Sequence, residues 1–173
     1  MRRGIDVVWR DDDVGKFTDL TTLMRIQELF DKYNKTHTCV LLMDDLWESK
    51  GIWFWLMTTK NVEVALHGWK HDDYTVYAKE GVKSILSMSL DYWERNSKRA
   101  MEVYGYEFKP IKTFYPPWNK SSPTVEQACA ELGLEVSVKT KQTNPDEVYD
   151  FHWWELIDSK DWKFKNLEGA LRQ

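Results

Sequence analysis

The sequence predicts a single α/β domain over residues 1–173, with mostly parallel strands forming a sheet or barrel. Three observations carry this. Short β-rich runs alternate with longer stretches of helical periodicity along the chain, the pattern of repeated βαβ units. A chain of 173 residues suffices for one hydrophobic core, and no repeat, linker or low-complexity segment divides it. Clusters of acids or histidines follow several of the apolar runs, where parallel α/β folds collect their chemistry.

The elements follow in order. "IDVVW" (5–9) is β-rich and reads as a first strand. Over 18–34, Leu20, Leu23, Met24, Leu29, Phe30 and Tyr33 recur at helical spacing. "THTCVLLM" (36–43) reads as a second, buried strand, 48–60 as a short helix, and "VEVALHG" (62–68) as a third strand. The longest helical pattern runs over 79–105 and stops at Gly105. A fourth strand, "IKTFYPPWN" (111–119), enters a Pro-Pro loop. Ser122 then caps a helix that has Pro123 at its first position and closes at Gly133. "EVSVKT" (135–140) and "VYDFHWWEL" (148–156) read as strands five and six, with a last helix near 164–172.

Composition narrows the function classes. Apolar residues at 42% exclude a disordered chain. A net charge of −4, from 28 acids against 24 bases, gives no basis for nucleic-acid binding. No apolar run reaches signal-peptide or membrane-span length, so the expected setting is cytoplasmic, with no membrane partner. Cys39 and Cys129 lie in apolar segments outside any CxxC and read as small core residues. Of the ten Trp, Trp47, Trp53, Trp55 and Trp93 read as core, while Trp69, Trp118, Trp153 and Trp154 fall among the polar clusters.

Those clusters are Asp11–Asp13 after strand one, Asp44-Asp45 after strand two, His67–His71 after strand three, Pro116–Asn119 after strand four and His152 in or after strand six. Three of the four histidines thus sit at strand ends. His37, at the start of strand two, has no partner in the pattern and reads as structural or exposed. Taken singly, Asp11–Asp13 reads as a solvated turn, the His pair as an exposed helix face, Pro116-Pro117 as a rigid loop and His152 as a half-buried structural residue. Taken together they read as Asp, His and His around a divalent ion, zinc above all, with one position open. Of Asp12 and Asp13, one carboxylate can face the ion while the other takes a proton from water.

On these residues the chain resembles polysaccharide deacetylases of the NodB-homology type, carbohydrate esterase family 4 and its relatives. The motifs come in the family's order. "RDDDVG" stands for the paired aspartates, His67-Gly68-Trp69-Lys70-His71 for His-Ser/Thr-x-x-His, "FYPPWN" for the Arg-Pro-Pro-aromatic loop and "YDFHWW" for the late His. The resemblance implies a reduced or distorted (β/α) barrel, since the chain is short for the family. It implies that Asp12 is the general base and that Asp13, His67 and His71 hold the metal. The Trp118 N–H would help form an oxyanion hole, and His152 would be the general acid. Trp69, Tyr115, Pro117, Asn119 and Trp153 would contact substrate. The implied reaction removes N-acetyl groups from a saccharide. The alternatives are a metal-dependent amidase on a non-sugar C–N bond, or an inactive relative that binds glycan.

Besides Gly68 in place of Ser or Thr, two further features depart from the family. Tyr115 stands where the third motif has its Arg, with Arg10 or Lys112 as substitutes. The Asp that tunes the acid His has no clear counterpart; Asp150 and Asp158 are candidates.

Overall fold

The computed structural model describes residues 7–157 and 162–172. Six strands, β1 (Val8–Val14), β2 (His37–Leu42), β3 (Val62–Gly68), β4 (Thr113–Phe114), β5 (Glu135–Val136) and β6 (Val148–His152), form one sheet in the order β5-β4-β3-β2-β1-β6. All five pairings are parallel. The sheet curls into a half-barrel, the distorted α/β barrel expected from the sequence. Its helices are α1 (Leu20–Lys32), α2 (Lys50–Thr58), α3 (Lys79–Tyr104), α4 (Pro123–Glu131) and α5 (Trp162–Leu171).

Helix ends follow their caps. The Asp19 carboxylate accepts from the Thr22 N–H at the start of α1, and the Ser122 hydroxyl accepts from Val125 N–H ahead of Pro123. Gly105, at φ +70°, takes the left-handed turn that ends α3.

Strand limits differ from the sequence reading at four places, one being strand six, read over 148–156, which ends at His152 where Trp153–Glu155 turn into a short 3-10 helix. Strand one runs over Val8–Val14, so Asp11–Asp13 lie within it rather than behind it; Ile5 and Asp6 lie outside the described residues. Asp11 and Asp12 are buried with polar partners, which lets carboxylates occupy a strand that their propensity argues against. β4 is cut to two residues ahead of Pro116-Pro117, which bring no N–H to a ladder. β5 is a two-residue edge strand, and 137–140 leave the sheet.

Period-two alternation divides the sheet into two faces. Trp9, Cys39, Leu41, Val64, Leu66, Phe114 and Phe151 join the main core with residues of the helices. Trp53, Trp55 and Trp93 are buried there, Trp47 packs at its margin, and both cysteines are buried and free. Val40, Ala65 and Tyr115 form a smaller apolar group of their own, while Arg10, Asp12, His67 and His152 fall on the same alternation and gather at the strands' C-terminal ends. Among the described residues no helix is long and apolar enough to cross a membrane.

Candidate active site

In a plain strand Asp12 and Asp13 would point to opposite faces. Here the β1–β2 register shifts between Asp11 and Val14, and Asp13 takes a left-handed φ of 62°. Asp tolerates that region better than most residues, and an irregularity of this kind re-aims a side chain. Asp13 is thereby turned towards His67 of β3 and His71 of the loop after it.

Ligand atoms of Asp13, His67 and His71 all lie within 4.8 Å of one another. His67 is buried, and its Nδ1–H donates to the Tyr115 carbonyl at 2.6 Å. That bond leaves Nε2 as a lone pair. It faces Asp13 Oδ1 at 3.3 Å, and His71 Nε2 lies 3.5 Å from the same oxygen. Asp13 Oδ1 is buried and accepts no hydrogen bond among the described residues. Lone pairs converging on a buried carboxylate oxygen fit a cation. Burial pushes the Asp13 carboxyl up; where no cation is bound, hydrogen bonding and charge from proton-bearing His67, then His71, pull it down, and the net lies below the usual range.

Gly68, where the family has Ser or Thr, has a physical reason. Its φ is +125°, and a Cβ there would come within 2.2 Å of the Tyr74 hydroxyl. Buried Tyr74 occupies the space a side chain would need. Its hydroxyl accepts from the Trp69 N–H at 3.0 Å and donates to the Lys70 carbonyl at 3.3 Å, bracing the loop between the two histidines. Burial pushes the phenol up to about 12, so it stays a donor.

Asp12 is gripped by Arg10. The guanidinium reaches Oδ1 at 2.8 Å and Oδ2 at 2.9 Å, and both side chains are buried. Arg10 also donates to Asn119 Oδ1 at 2.8 Å and to the Lys139 carbonyl at 3.1 Å, and it lies 4.7 Å over the Tyr115 ring. Of the two basic candidates, Arg10 is the one at Asp12; Lys112 lines the wide cleft along the sheet instead. Burial raises the Asp12 carboxyl above its usual value, against the pull of Arg10 and then His67.

His152 is the register partner of Asp12 on β6, with Nε2 3.7 Å from Asp13 Oδ2. Its Nδ1 lies 2.8 Å from Glu155 Oε1. Neither sequence candidate is that partner: Asp150 accepts from the Lys141 N–H and faces Arg10, while Asp158 lies outside the described residues. Glu155 was readable only as an i, i+3 spacing in His-Trp-Trp-Glu, and the tight turn that makes the spacing useful has no strong sequence signal.

The expected substrate contacts fall in different settings. Trp69 is half-buried and borders a cavity of about 270 Å³ with Asp13, Lys16, Phe17, Asp44 and His71. Asp44 and Asp45 both pair with Lys16. Tyr115, Pro117 and Trp153 are buried beside the site: Tyr115 holds His67, and the Trp153 indole donates to the Asp13 carbonyl at 3.0 Å. Asn119 anchors Arg10. Trp118 is 56% exposed, at φ 54°, with its ring edge-on to His71 at 4.4 Å. Trp154 leans on His152 at 4.7 Å, and its indole reaches Asp13 Oδ2 at 3.4 Å. Phe17, 84% exposed, is a rim aromatic that nothing in the sequence distinguishes.

His37 corrects its sequence reading in one respect. It is fully buried, and it has partners: Gln27 Oε1 at 3.2 Å and Asp11 Oδ2 at 3.3 Å. Burial raises the Asp11 carboxyl well above its usual range and drives His37 down to about 3.

No family model and no curated protein matches the sequence. Solved structures do match the fold. A family 4 carbohydrate esterase from Streptomyces lividans, in complex with acetate, superposes with a TM-score of 0.67 at 14% identity, covering 95% of this chain and 83% of that one. A family 4 pseudoenzyme from Bacillus anthracis gives 0.70 at 14% identity, covering 99% of this chain but only 62% of its own. A family 4 acetyl xylan esterase from Clostridium thermocellum, in complex with cobalt, gives 0.60 at 17% identity, covering 85% and 73%. At such identities the shared property is architecture: this chain has the fold of the family 4 carbohydrate esterases.

Proposed function

We propose that the chain is a metal-dependent deacetylase that removes N-acetyl groups from a saccharide. The observation that carries this is the convergence of two imidazole Nε2 atoms on the unpartnered Oδ1 of Asp13. Asp13, His67 and His71 would hold one divalent ion, zinc in the first instance. Such an ion supplies Lewis acidity toward a carbonyl and toward water. The cobalt in the Clostridium thermocellum esterase supports a divalent ion on this fold.

The chain's own groups divide the remaining work. Asp12 takes the proton from water as its oxygen bonds to the acetyl carbon; Arg10 keeps that carboxylate aimed. The Trp118 N–H stabilises the charge that develops on the carbonyl oxygen. His152, oriented by Glu155, gives a proton to the amine nitrogen as the C–N bond breaks. Acetate and the free amine leave. Trp69 and Asn119, with Tyr115, Pro117 and Trp153 behind them, shape the saccharide site, and the exposed rings of Trp118 and Trp154 offer faces on which a sugar can stack.

The test is acetate release from acetylated chito-oligosaccharides by the purified protein. Chelation should abolish release, and zinc or cobalt should restore it. A protein that binds zinc and the oligosaccharide without releasing acetate would be a glycan-binding relative; release only from non-sugar amides would identify an amidase.

A further inference from the structure

Three consecutive aspartates open this site, and the proposed chemistry uses two. Asp11 points the other way, into the layer between sheet and α1, and is fully buried. Its Oδ1 accepts from the Trp153 N–H at 2.7 Å, the amide directly after His152. Its Oδ2 lies 3.3 Å from His37 Nε2. His37 is stacked on Phe30 at 4.6 Å, with Cys39 Sγ 3.8 Å from Nε2. Its Nδ1 faces Gln27 Oε1 at 3.2 Å, and the Gln27 amide nitrogen donates to Asp31 at 2.9 Å. That second bond fixes the amide's orientation, so the oxygen at His37 is an acceptor and Nδ1 carries the proton.

We infer that Asp11 and His37 form a positioning pair that holds the Trp153 amide, and through it His152, in place from behind the sheet. The inference rests on the deacetylase reading for what His152 does, but the hydrogen bonds stand apart from it. Asp11 joins β1 to both of its neighbours, through His37 of β2 and Trp153 after β6. A buried carboxyl group paired on both oxygens, its Oδ1 accepting from the Trp153 N–H and its Oδ2 hydroxyl donating to the His37 Nε2, resists small displacements, because each bond lost leaves a buried polar atom unpaired.

This assigns Asp11 a role that tolerates amidation, unlike its two neighbours. In Asp11→Asn the amide oxygen can accept from Trp153 N–H while the amide nitrogen donates to the bare His37 Nε2. Asp11→Leu keeps the branched shape, though it is bulkier, and makes neither bond. Three measurements separate the outcomes: hydrogen exchange at the Trp153 amide, turnover of an N-acetylated oligosaccharide, and turnover of an activated acetate ester, whose leaving group needs no proton. The expected result is Asp11→Asn within about threefold of wild type in all three. Asp11→Leu should exchange Trp153 at least tenfold faster and lose more than tenfold in kcat on the amide, with unchanged KM and a smaller loss on the ester. His37→Phe preserves the ring stack and breaks the same chain, so it gives the same pattern more weakly and decides the matter if Asp11→Leu does not fold. An Asp11→Asn variant as inactive as Asp12→Asn, or Leu and Phe variants with wild-type exchange at Trp153, overturns the inference; so does equal slowing of amide and ester. If the wild-type protein deacetylates nothing, the functional reading fails, while Trp153 exchange still shows whether Asp11 holds that amide.

Discussion

Arg10 and Asp12 stand two residues apart on β1, and the guanidinium contacts both carboxylate oxygens, at 2.8 and 2.9 Å, with neither side chain appreciably exposed. Two residues is the spacing that puts side chains on one face of a strand. Removing one member strands the other charge in the interior. Arg10→Ala should therefore destabilise the protein by about 3–5 kcal/mol, read as a lower urea midpoint. Arg10→Lys keeps the charge but loses the two-pronged grip, so it should recover stability only in part. An Arg10→Ala protein as stable as wild type would mean that the pair is not buried in solution.

Asp12→Asn separates base from ligand. Asp12 carries no part of the three-residue cluster, so the variant should bind zinc with wild-type affinity in calorimetry. Turnover should fall by roughly 10²–10⁴-fold, the contribution of a placed general base. Lost zinc binding would instead place Asp12 among the ligands.

How much of this was legible in the sequence depended on range. The sequence reads β3 at its observed limits because Val62–Gly68 is an apolar run broken by Glu63 and His67 alone. α3 and α4 were readable through Gly105 and Ser122-Pro123, which are local signals. β1 was misplaced because three aspartates look like a turn unless each one's partner is known. Those partners lie far along the chain: His37 is 26 residues from Asp11, Trp153 is 142. Arg10 could be named as a candidate, but choosing it over Lys112 required β1 to continue past residue 9. Glu155 was missed because spacing helps only once the chain is known to turn tightly after His152.

The Gly68–Tyr74 contact yields a prediction about metal affinity. Tyr74→Phe removes the bonds to the Trp69 N–H and the Lys70 carbonyl and leaves the ring in place. The loop carrying His71 then loses its brace, and zinc affinity should fall by at least about tenfold, the usual cost of losing an outer partner of a ligand. Gly68→Ala should be worse for folding itself. It is strained at φ +125°, and Tyr74→Phe cannot relieve it because ring carbons as well as the hydroxyl are within 3 Å of the new Cβ. Unchanged calorimetric affinity in Tyr74→Phe would dismiss the brace.

The two thiols offer a check on the core. Burial pushes Cys129 up to about 12 and raises Cys39 well above the usual thiol range. Reagents attack the thiolate. Neither cysteine should react with a disulfide reagent in the native protein at pH 8, and both should react at once in denaturant. A thiol titrating rapidly without denaturant would show that its helix or strand opens.

The buried His37 makes one variant's stability depend on pH in a stated direction. In Asp11→Asn the neighbouring group no longer titrates, and the Cys39 thiol, raised well above its usual range, stays protonated, which leaves His37 to respond to acid. Desolvation holds its pKa near 3, with the Asp31 charge opposing. The unfolded chain's histidine titrates near 6.5. The folded value is therefore depressed for a base: below pH 6.5 the unfolded state binds a proton that the folded state refuses. Stability is fully present above 6.5 and falls as pH drops towards about 3, by roughly 1.4 kcal/mol per unit. Other groups change over the same range, so the comparison is with Asp11→Asn/His37→Phe, which lacks this histidine but keeps a ring stacked on Phe30. Between pH 7.5 and pH 5, urea unfolding should show the single variant losing about 2 kcal/mol relative to the double. A constant difference across that interval would mean that His37 accepts its proton inside the folded protein, which a ring with no exposed surface, facing an amide nitrogen on one side and already donating on the other, has no means to do.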